Sequence, residues 1–303
     1  MSALADSGVT IVGLGLMGGS LALALRGRCR EIVGVDCDPE AIAFACAHAV
    51  IDREADFMAA LDSDLLVLAA PIRAILGQLD QLSRLTFHVP RSTVVLDLGS
   101  TKGRIVAAMQ ALPPGFEPLG GHPLCGKEVS GIANAEASLY QGKTFVLTPL
   151  ARTSPAALAL AHELIAAIGA TALVLPADRH DALVAVTSHL PYAAAVALVR
   201  TALYLDDEQL GPMMASGFRD TSRLGASDLT IMTDILLTNR AAILDALARY
   251  RVELDSLIGL IDRADPDALR SMLAPTRAAR AGMFTTGQRP SLPTDEYREG
   301  IRK

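Results

Sequence analysis

Val9-Thr-Ile-Val-Gly13-Leu-Gly15-Leu-Met-Gly18-Gly-Ser20 is the stretch that decides the fold. A short β-rich run, Val9 to Gly13, leads through three spaced glycines into an apolar helical stretch, Leu21 to Leu25. Gly13 permits a tight turn, Gly15 lets a pyrophosphate touch the backbone, and Gly18 lets helix pack on strand. The helix N-terminus, with Leu16 and Met17 in its first turn, then faces the phosphates. Three glycines alone are a weak signal. The signal strengthens because a second β-rich run, Glu31 to Val35, ends at Asp36, roughly 20 positions on, where an acid accepts hydrogen bonds from a ribose 2′-hydroxyl. Asp36 repels a 2′-phosphate, and Cys37-Asp38 offers no arginine to compensate, so the expected cofactor is NAD rather than NADP.

Outward from this unit the β/α alternation continues. Asp64 to Ala70 reads as a buried strand, Pro71 opens the next helix, and Thr93 to Asp97 reads as another strand. Lys143 to Leu147 and Ala172 to Leu175 extend the sheet around a helical pattern from Ala156 to Ile168. The expectation is an α/β N-terminal domain with a parallel, doubly wound, Rossmann-type sheet, whose ligands sit beyond the carboxyl ends of the strands. Gly13, Asp36, Ala70-Pro71 and Leu98-Gly99-Ser100 would gather there. Ser100 is equally an N-cap residue, and Lys102 either approaches an anionic ligand or stands solvated in a first helical turn.

Gly120-Gly-His122-Pro-Leu-Cys-Gly-Lys-Glu-Val-Ser-Gly131 reads as a Gly-rich loop holding one imidazole without crowding it. After Pro176 the β-rich runs stop, and helical patterns rich in alanine and leucine follow to about Arg280. The domains are therefore placed at 1–176 and 177–303, the second all-α. Pro191 is expected to kink a long helix and free carbonyls near position 187, beside His189 and Tyr192. His189 is otherwise an ordinary helix histidine, and His48, His88, His162 and His180 read as surface or structural. Arg219 and Arg223 stand one helical turn apart and suit a carboxylate, unless Asp220 pairs with them in a solvated turn. So apolar a helical layer packs on something, and a symmetric homodimer is the economical partner.

Composition sets the remaining bounds. The 303 residues suggest about two domains, and 51% hydrophobic with 20% charged residues describes a globular enzyme. A net charge of -6 argues against nucleic acid, so an anionic substrate needs locally placed arginines. No apolar run reads as long enough to span a membrane, and the N-terminus lacks a signal core, so a cytoplasmic location is expected. Cys29, Cys37, Cys46 and Cys125 have no metal-ligand spacing and read as reduced thiols. The tail from Gly282 to Lys303 carries Gly, Pro and Thr with little periodicity, and its pattern leaves its structure open.

With these residues in view, the chain resembles the prephenate and arogenate dehydrogenase family of tyrosine biosynthesis over nearly its whole length. The resemblance is carried by Gly13 to Ser20, Asp97-Leu-Gly-Ser-Thr-Lys-Gly103, Gly121 to Gly131, Ser188-His-Leu-Pro191 and Gly217-Phe-Arg-Asp-Thr-Ser-Arg223. It implies that His122 is the catalytic histidine and Ser100 its hydrogen-bonding partner. It further implies that Arg223 binds a substrate carboxylate, that Glu128 and Asp220 position it, and that Arg219 and His189 line the same pocket. The implied reaction is NAD-dependent oxidative decarboxylation of a dianionic cyclohexadienyl acid, prephenate or arogenate. Leu124 and Cys125 stand where the family often has methionine and alanine, and Tyr192 where some members carry histidine. Two other protein classes share part of this pattern. A β-hydroxyacid dehydrogenase or imine reductase shares the fingerprint, but typically uses a lysine on the long interdomain helix, and Ala177 to Leu205 contains none. A non-catalytic NAD-sensing module leaves His122, Ser100 and the arginines unexplained.

Overall fold

The structure is a computed structural model that describes residues 3–58, 61–85 and 92–285. Its centre is an eight-stranded sheet of β1 (Gly8–Val12), β2 (Glu31–Val35), β3 (Arg53–Glu54), β4 (Leu65–Leu68), β5 (Thr93–Asp97), β6 (Phe116–Pro123), β7 (Thr144–Pro149) and β8 (Thr171–Val174), in the order β3-β2-β1-β4-β5-β6-β7-β8. The first six strands pair in parallel, β7 runs antiparallel to β6, and β8 is again parallel to β7. Strands β1, β4 and β5 are buried at every residue. That is why they read as unbroken apolar runs: helices cover both faces of a parallel sheet, so no polar alternation survives.

The covering helices in this half are α1 (Leu16–Leu25), α2 (Pro39–Ala47), α3 (Ile72–Ser83), α4 (Gly103–Met109) and α5 (Pro155–Ala167). α2 starts where Asp38 accepts the amide of Glu40 with Pro39 at the first turn, and α5 where Ser154 accepts that of Ala157 with Pro155 likewise. After β8 come α6 (Ala177–Val184), a π-helical turn at Ala185–His189, α7 (Leu190–Leu203), α8 (Leu210–Met213), α9 (Ser216–Ser222), a 3-10 turn at Arg223–Ala226, α10 (Leu229–Thr238), α11 (Arg240–Asp262) and α12 (Pro266–Thr285). The chain forms two compact units, Met1–Ile243 and Leu244–Lys303, so the helices from α6 to α10 belong to the same unit as the sheet.

Pro191 lacks an amide for the carbonyl of residue 187, and the helix answers by widening to π pitch over the five residues ending at His189. The expected local irregularity is there, as a change of pitch. One expectation is corrected: Ala177–Leu203 is a continuous 27-residue helical stretch, with mean hydropathy 1.7 in its most apolar window, long and apolar enough by length and composition to cross a membrane. Its His180, Asp181 and His189 are instead buried inside the fold. Its outward face exposes Leu183, Val186 and Leu203. His88 and the tail beyond residue 285 lie outside the described residues.

Candidate active site

The stretch carrying His122 differs from the expectation in one important way: residues 120–123 are not a loop but the end of β6, with His122 opposite Val146 of β7. Of the four glycines in that stretch, only Gly131 has a positive φ, 88°. Gly121 serves close packing, because a Cβ there would stand 2.5 Å from the carbonyl oxygen of Asp97 and 2.8 Å from Leu96 Cδ1. Glycine frequency signals a turn from local pattern alone, whereas here a neighbouring strand requires the missing side chain. Asp97, at the end of β5, accepts the Gly121 amide at 3.0 Å, and the ammonium of Lys102 bonds both Asp97 and, at 2.5 Å, the Gly121 carbonyl. Both backbone polar groups of Gly121, the residue preceding His122, are thus held. Lys102 is wholly buried, neither solvated nor at the surface.

On its other side, the His122 ring meets a residue that sequence reasoning placed at the surface or in a structural role. His122 Nδ1 lies 2.7 Å from His180 Nε2, the rings crossing at 74°. His180 is 1% exposed, and its Nδ1 lies 2.8 Å from Asp181 Oδ1. Asp181 also accepts the amides of Lys102 (2.7 Å) and Gly103 (2.8 Å), so this carboxylate, rather than Ser100, caps α4. The His180-Asp181 dipeptide 58 positions downstream carried no local signal for this role beyond two adjacent titratable residues near the start of a helix.

The end of α10 and the residue that caps it close the cluster. Asn239 donates to the Asp181 carbonyl (2.8 Å) and lies 3.2 Å from His189 Nδ1, while Thr238 shares a 2.8 Å hydrogen bond with Thr101. Asp234, 1% exposed, takes the Arg73 amide at the start of α3 and pairs with the Arg73 guanidinium. Helices α6 and α10 thereby supply acceptors to the amino ends of α3 and α4, at the carboxyl edge of the sheet.

The electrostatics favour neutral imidazoles. Burial, then the Lys102 ammonium, then His180 and His189 hold His122 well below its usual pKa. Burial brings His189 down to about 4, against a partial opposing pull from Asp181. Asp181 is held below the ordinary carboxylate value because its hydrogen bonds from His180, Lys102 and Gly103 outweigh the cost of burial.

The remaining expected site residues are distributed as follows. Ser100 is half-buried in the β5–α4 connection and, among the described residues, makes no hydrogen bond to His122. Arg223 reaches across to pair with Glu128, both more than half exposed. Arg219 and Asp220 are exposed on α9 and form no ion pair among the described residues. Tyr192 is buried. Cys125 borders a cavity of about 460 Å³ with Lys127, Glu136 and Lys143, and burial pushes its thiol up to about 11. It therefore stays protonated at neutral pH.

A dinucleotide fits the first half of the sheet on the chain's own geometry. Gly13 has φ 98°, and a Cβ there would sit 2.6 Å from the Ala69 carbonyl oxygen. A Cβ on Gly18 would collide with the Gly13 carbonyl, while one on Gly15 would meet nothing within 4 Å. Packing excludes a side chain from the first and third glycines, and open space lies before the second. No side chain caps α1, and its first turn, with Leu16 and Met17, holds no acid, so its amides face outward unopposed. Asp36 accepts the amides of Leu14 (2.6 Å) and Asp38 (2.9 Å), which aims its carboxylate across the glycine turn. Ala70 and Pro71 follow β4, with Pro71 at the cap of α3. Downstream of His122, Glu136 bonds Ser20 and Tyr140 bonds the Met17 carbonyl (2.7 Å), latching the segment after β6 onto α1. Although Cys37-Asp38 offers no arginine beside Asp36, Arg53 of β3 lines the same 620 Å³ cavity, its guanidinium engaged by Glu31 at 2.8 Å.

A Rossmann-type sheet with this glycine turn, and a helical region carrying buried histidines to the carboxyl edge, define an NAD-dependent oxidoreductase. Residues 21–174 match the family model described as prephenate dehydrogenase, nucleotide-binding domain, and residues 176–275 the one described as prephenate dehydrogenase, dimerization domain. The chain belongs to the prephenate dehydrogenase family. It is 30% identical to the prephenate dehydrogenase of Bacillus subtilis over 91% of this chain and 76% of that one. Among solved structures, prephenate dehydrogenase from A. aeolicus in complex with hydroxyphenyl propionate and NAD+ superposes with a TM-score of 0.85 at 31% identity, covering 93% of this chain and 100% of that one. Synechocystis arogenate dehydrogenase gives 0.79 at 32%, covering 91% and 99%.

Proposed function

We propose that the enzyme converts prephenate, arogenate or both by oxidative decarboxylation, with His122 as the group that takes the ring hydroxyl proton. The observation that carries this reading is the setting of His122. It is a partly exposed imidazole kept neutral beside a buried ammonium, at the end of a strand whose following segment is latched to the dinucleotide helix. A neutral histidine accepts a proton, and a charged one does not. NAD, when bound, takes the hydride from ring C4. His122 holds the hydroxyl proton as the C4–oxygen double bond forms. When the ring carboxylate leaves as carbon dioxide, its bonding pair aromatises the ring, and the proton returns to the phenolate oxygen. Protons and electrons therefore balance with no other base.

Ser100 orients the same hydroxyl from the end of β5. Arg223 exchanges Glu128 for a substrate carboxylate, with Arg219, Asp220 and His189 around the tail of this small dianion. Gly13, Gly15, Leu16, Met17, Gly18, Asp36, Ala70 and Pro71 hold the dinucleotide. The match of two family models that meet near position 175 supports domains at 1–176 and 177–303. The second of these models is a dimerization domain, and exposed Leu203, Leu205, Leu229, Leu237, Val252 and Ile258 support a homodimer formed through the helices. A cytoplasmic enzyme with no nucleic-acid or membrane partner completes the reading. An absorbance assay of NAD reduction with prephenate, arogenate and a β-hydroxyacid tests it: turnover of at least one cyclohexadienyl acid and not the β-hydroxyacid is expected, and the reverse overturns it.

A further inference from the structure

A proton acceptor at His122 has two ring nitrogens to use, and Asp181 and His180 behind it select between them. Asp181 receives hydrogen bonds from two backbone amides and lies 2.8 Å from His180 Nδ1. An ionised carboxylate has no proton to give, so His180 Nδ1 carries the hydrogen of that bond. With a single proton on His180, its other nitrogen is a lone pair, and it lies 2.7 Å from His122 Nδ1. The hydrogen of this second contact belongs to His122 Nδ1, which leaves His122 Nε2 bare.

We propose that Asp181 and His180 form a relay behind His122. The relay makes Nε2 the nitrogen that takes the substrate proton, and it receives the Nδ1 proton on His180 when that happens. The proposal rests on the reading of His122 as base. As the hydroxyl O–H bond breaks, an N–H bond forms at His122 Nε2. The Nδ1 hydrogen of His122 passes to His180 Nε2, and positive charge comes to rest between His180 and Asp181. When the phenolate forms, both protons step back.

The surrounding charges set the direction. The ammonium of Lys102, paired with Asp97 and bonded to the carbonyl of Gly121, opposes charge on His122 from the β5–α4 side. His189, on the π turn, has its Nδ1 held by Asn239 and is kept neutral by burial. Among the described residues, Asp181 is the carboxylate that hydrogen-bonds either of the two rings, and the ring it bonds is His180. A transferred proton is thus moved away from a cation and toward an anion. His180 and Asp181 are positioning residues: they act on the substrate through His122.

The test uses full-length enzyme with NAD and whichever cyclohexadienyl acid it turns over. His180→Gln keeps a carbonyl to receive the Nδ1 hydrogen but has no nitrogen to take up a proton, and His180→Leu removes both functions. The relay predicts kcat lower by about 10-fold or more in the first and by about 100-fold in the second, within the range for disturbed general-base catalysis. It also predicts that the acid limb of kcat/KM moves to lower pH in both, because loss of the Asp181-backed acceptor for the His122 proton outweighs relief from the lesser opposition of His180. A merely structural role for His180 lowers activity without moving that limb, and this outcome overturns the relay, as does wild-type kcat in His180→Gln. Nitrogen NMR of histidine-labelled, NAD-bound wild type decides the tautomer without any variant: Nδ1–H on His122 is expected, and Nε2–H overturns the proposal. His122→Asn separates the two levels. Retained kcat there defeats the reading of His122 as base, whereas its loss alongside an unaffected His180→Gln defeats only the relay.

Discussion

Lys102 and Asp97 form an ion pair in which neither side chain has any solvent exposure, and it ties the end of β5 to the peptide just before His122. Burial alone pulls Lys102 toward its neutral form, and Asp97 resists that pull. Removing one partner of such a pair leaves the other charge buried without compensation, a cost of about 3–5 kcal/mol. Lys102→Met is therefore expected to lose that much stability in urea unfolding, and Lys102→Met/Asp97→Asn to recover part of it. In the single variant the acid limb of activity should also rise in pH, since a cation that disfavours protonation of His122 is gone. An unchanged limb would show that Lys102 acts only on the backbone.

Asp36 is expected to set the preference for NAD. Its carboxylate, pinned by the Leu14 and Asp38 amides, repels a 2′-phosphate at short range. Asp36→Ser should narrow the ratio of kcat/KM for the two dinucleotides with little change in substrate KM. Because Arg53 lines the same cavity, Asp36→Ser/Arg53→Ala should gain less NADP activity than Asp36→Ser alone. Equal use of both cofactors by the wild type would remove Asp36 from this role.

Arg223 offers a clean separation of binding from stability. Its pair with Glu128 is more than half exposed on both sides, so Arg223→Ala should change unfolding free energy by less than about 1 kcal/mol. Loss of a substrate-carboxylate contact, by contrast, should weaken kcat/KM by about 2–5 kcal/mol with NAD affinity preserved. Normal substrate KM with impaired dimerisation would assign the arginine to the assembly instead.

Stability should fall on acidification before the carboxylates titrate. His189 has a folded pKa of about 4, below the usual 6.5, so between those values the unfolded chain binds a proton that the folded chain refuses. Stability is then fully present above pH 6.5 and declines as pH drops toward 4, by on the order of 3 kcal/mol at most from this residue. His122 shifts in the same direction and adds to the decline. Urea unfolding at pH 7, 5.5 and 4.5 measures the slope, and His189→Gln should flatten it.

Much of the fold was legible because its signals are local. Glycines at 13, 15 and 18 between a β-rich run and a helix, then Asp36 after the next strand, encode one βαβ unit through steric rules that need no distant partner. The long helical pattern with a proline at 191 announced its own irregularity, and the family islands named His122, Ser100 and Arg223 as candidates. What the sequence left out is what depends on segments far apart in the chain. Gly120 and Gly121 read as a loop because glycine weakens local strand preference, yet contact with β5 and β7 makes their bare backbone a packing requirement. Lys102 read as a first-turn cation, and only the arrival of Asp97 and the Gly121 carbonyl around its ammonium made complete burial tolerable. His180 read as peripheral because a titratable side chain acquires a role from its partners. Those partners, Asp181 beside it and His122 at the end of β6, meet only where α6 lies against the amino end of α4. Local pattern therefore set the elements and the candidate residues, while tertiary packing decided which polar groups are desolvated together and hence which nitrogen of His122 is free to act.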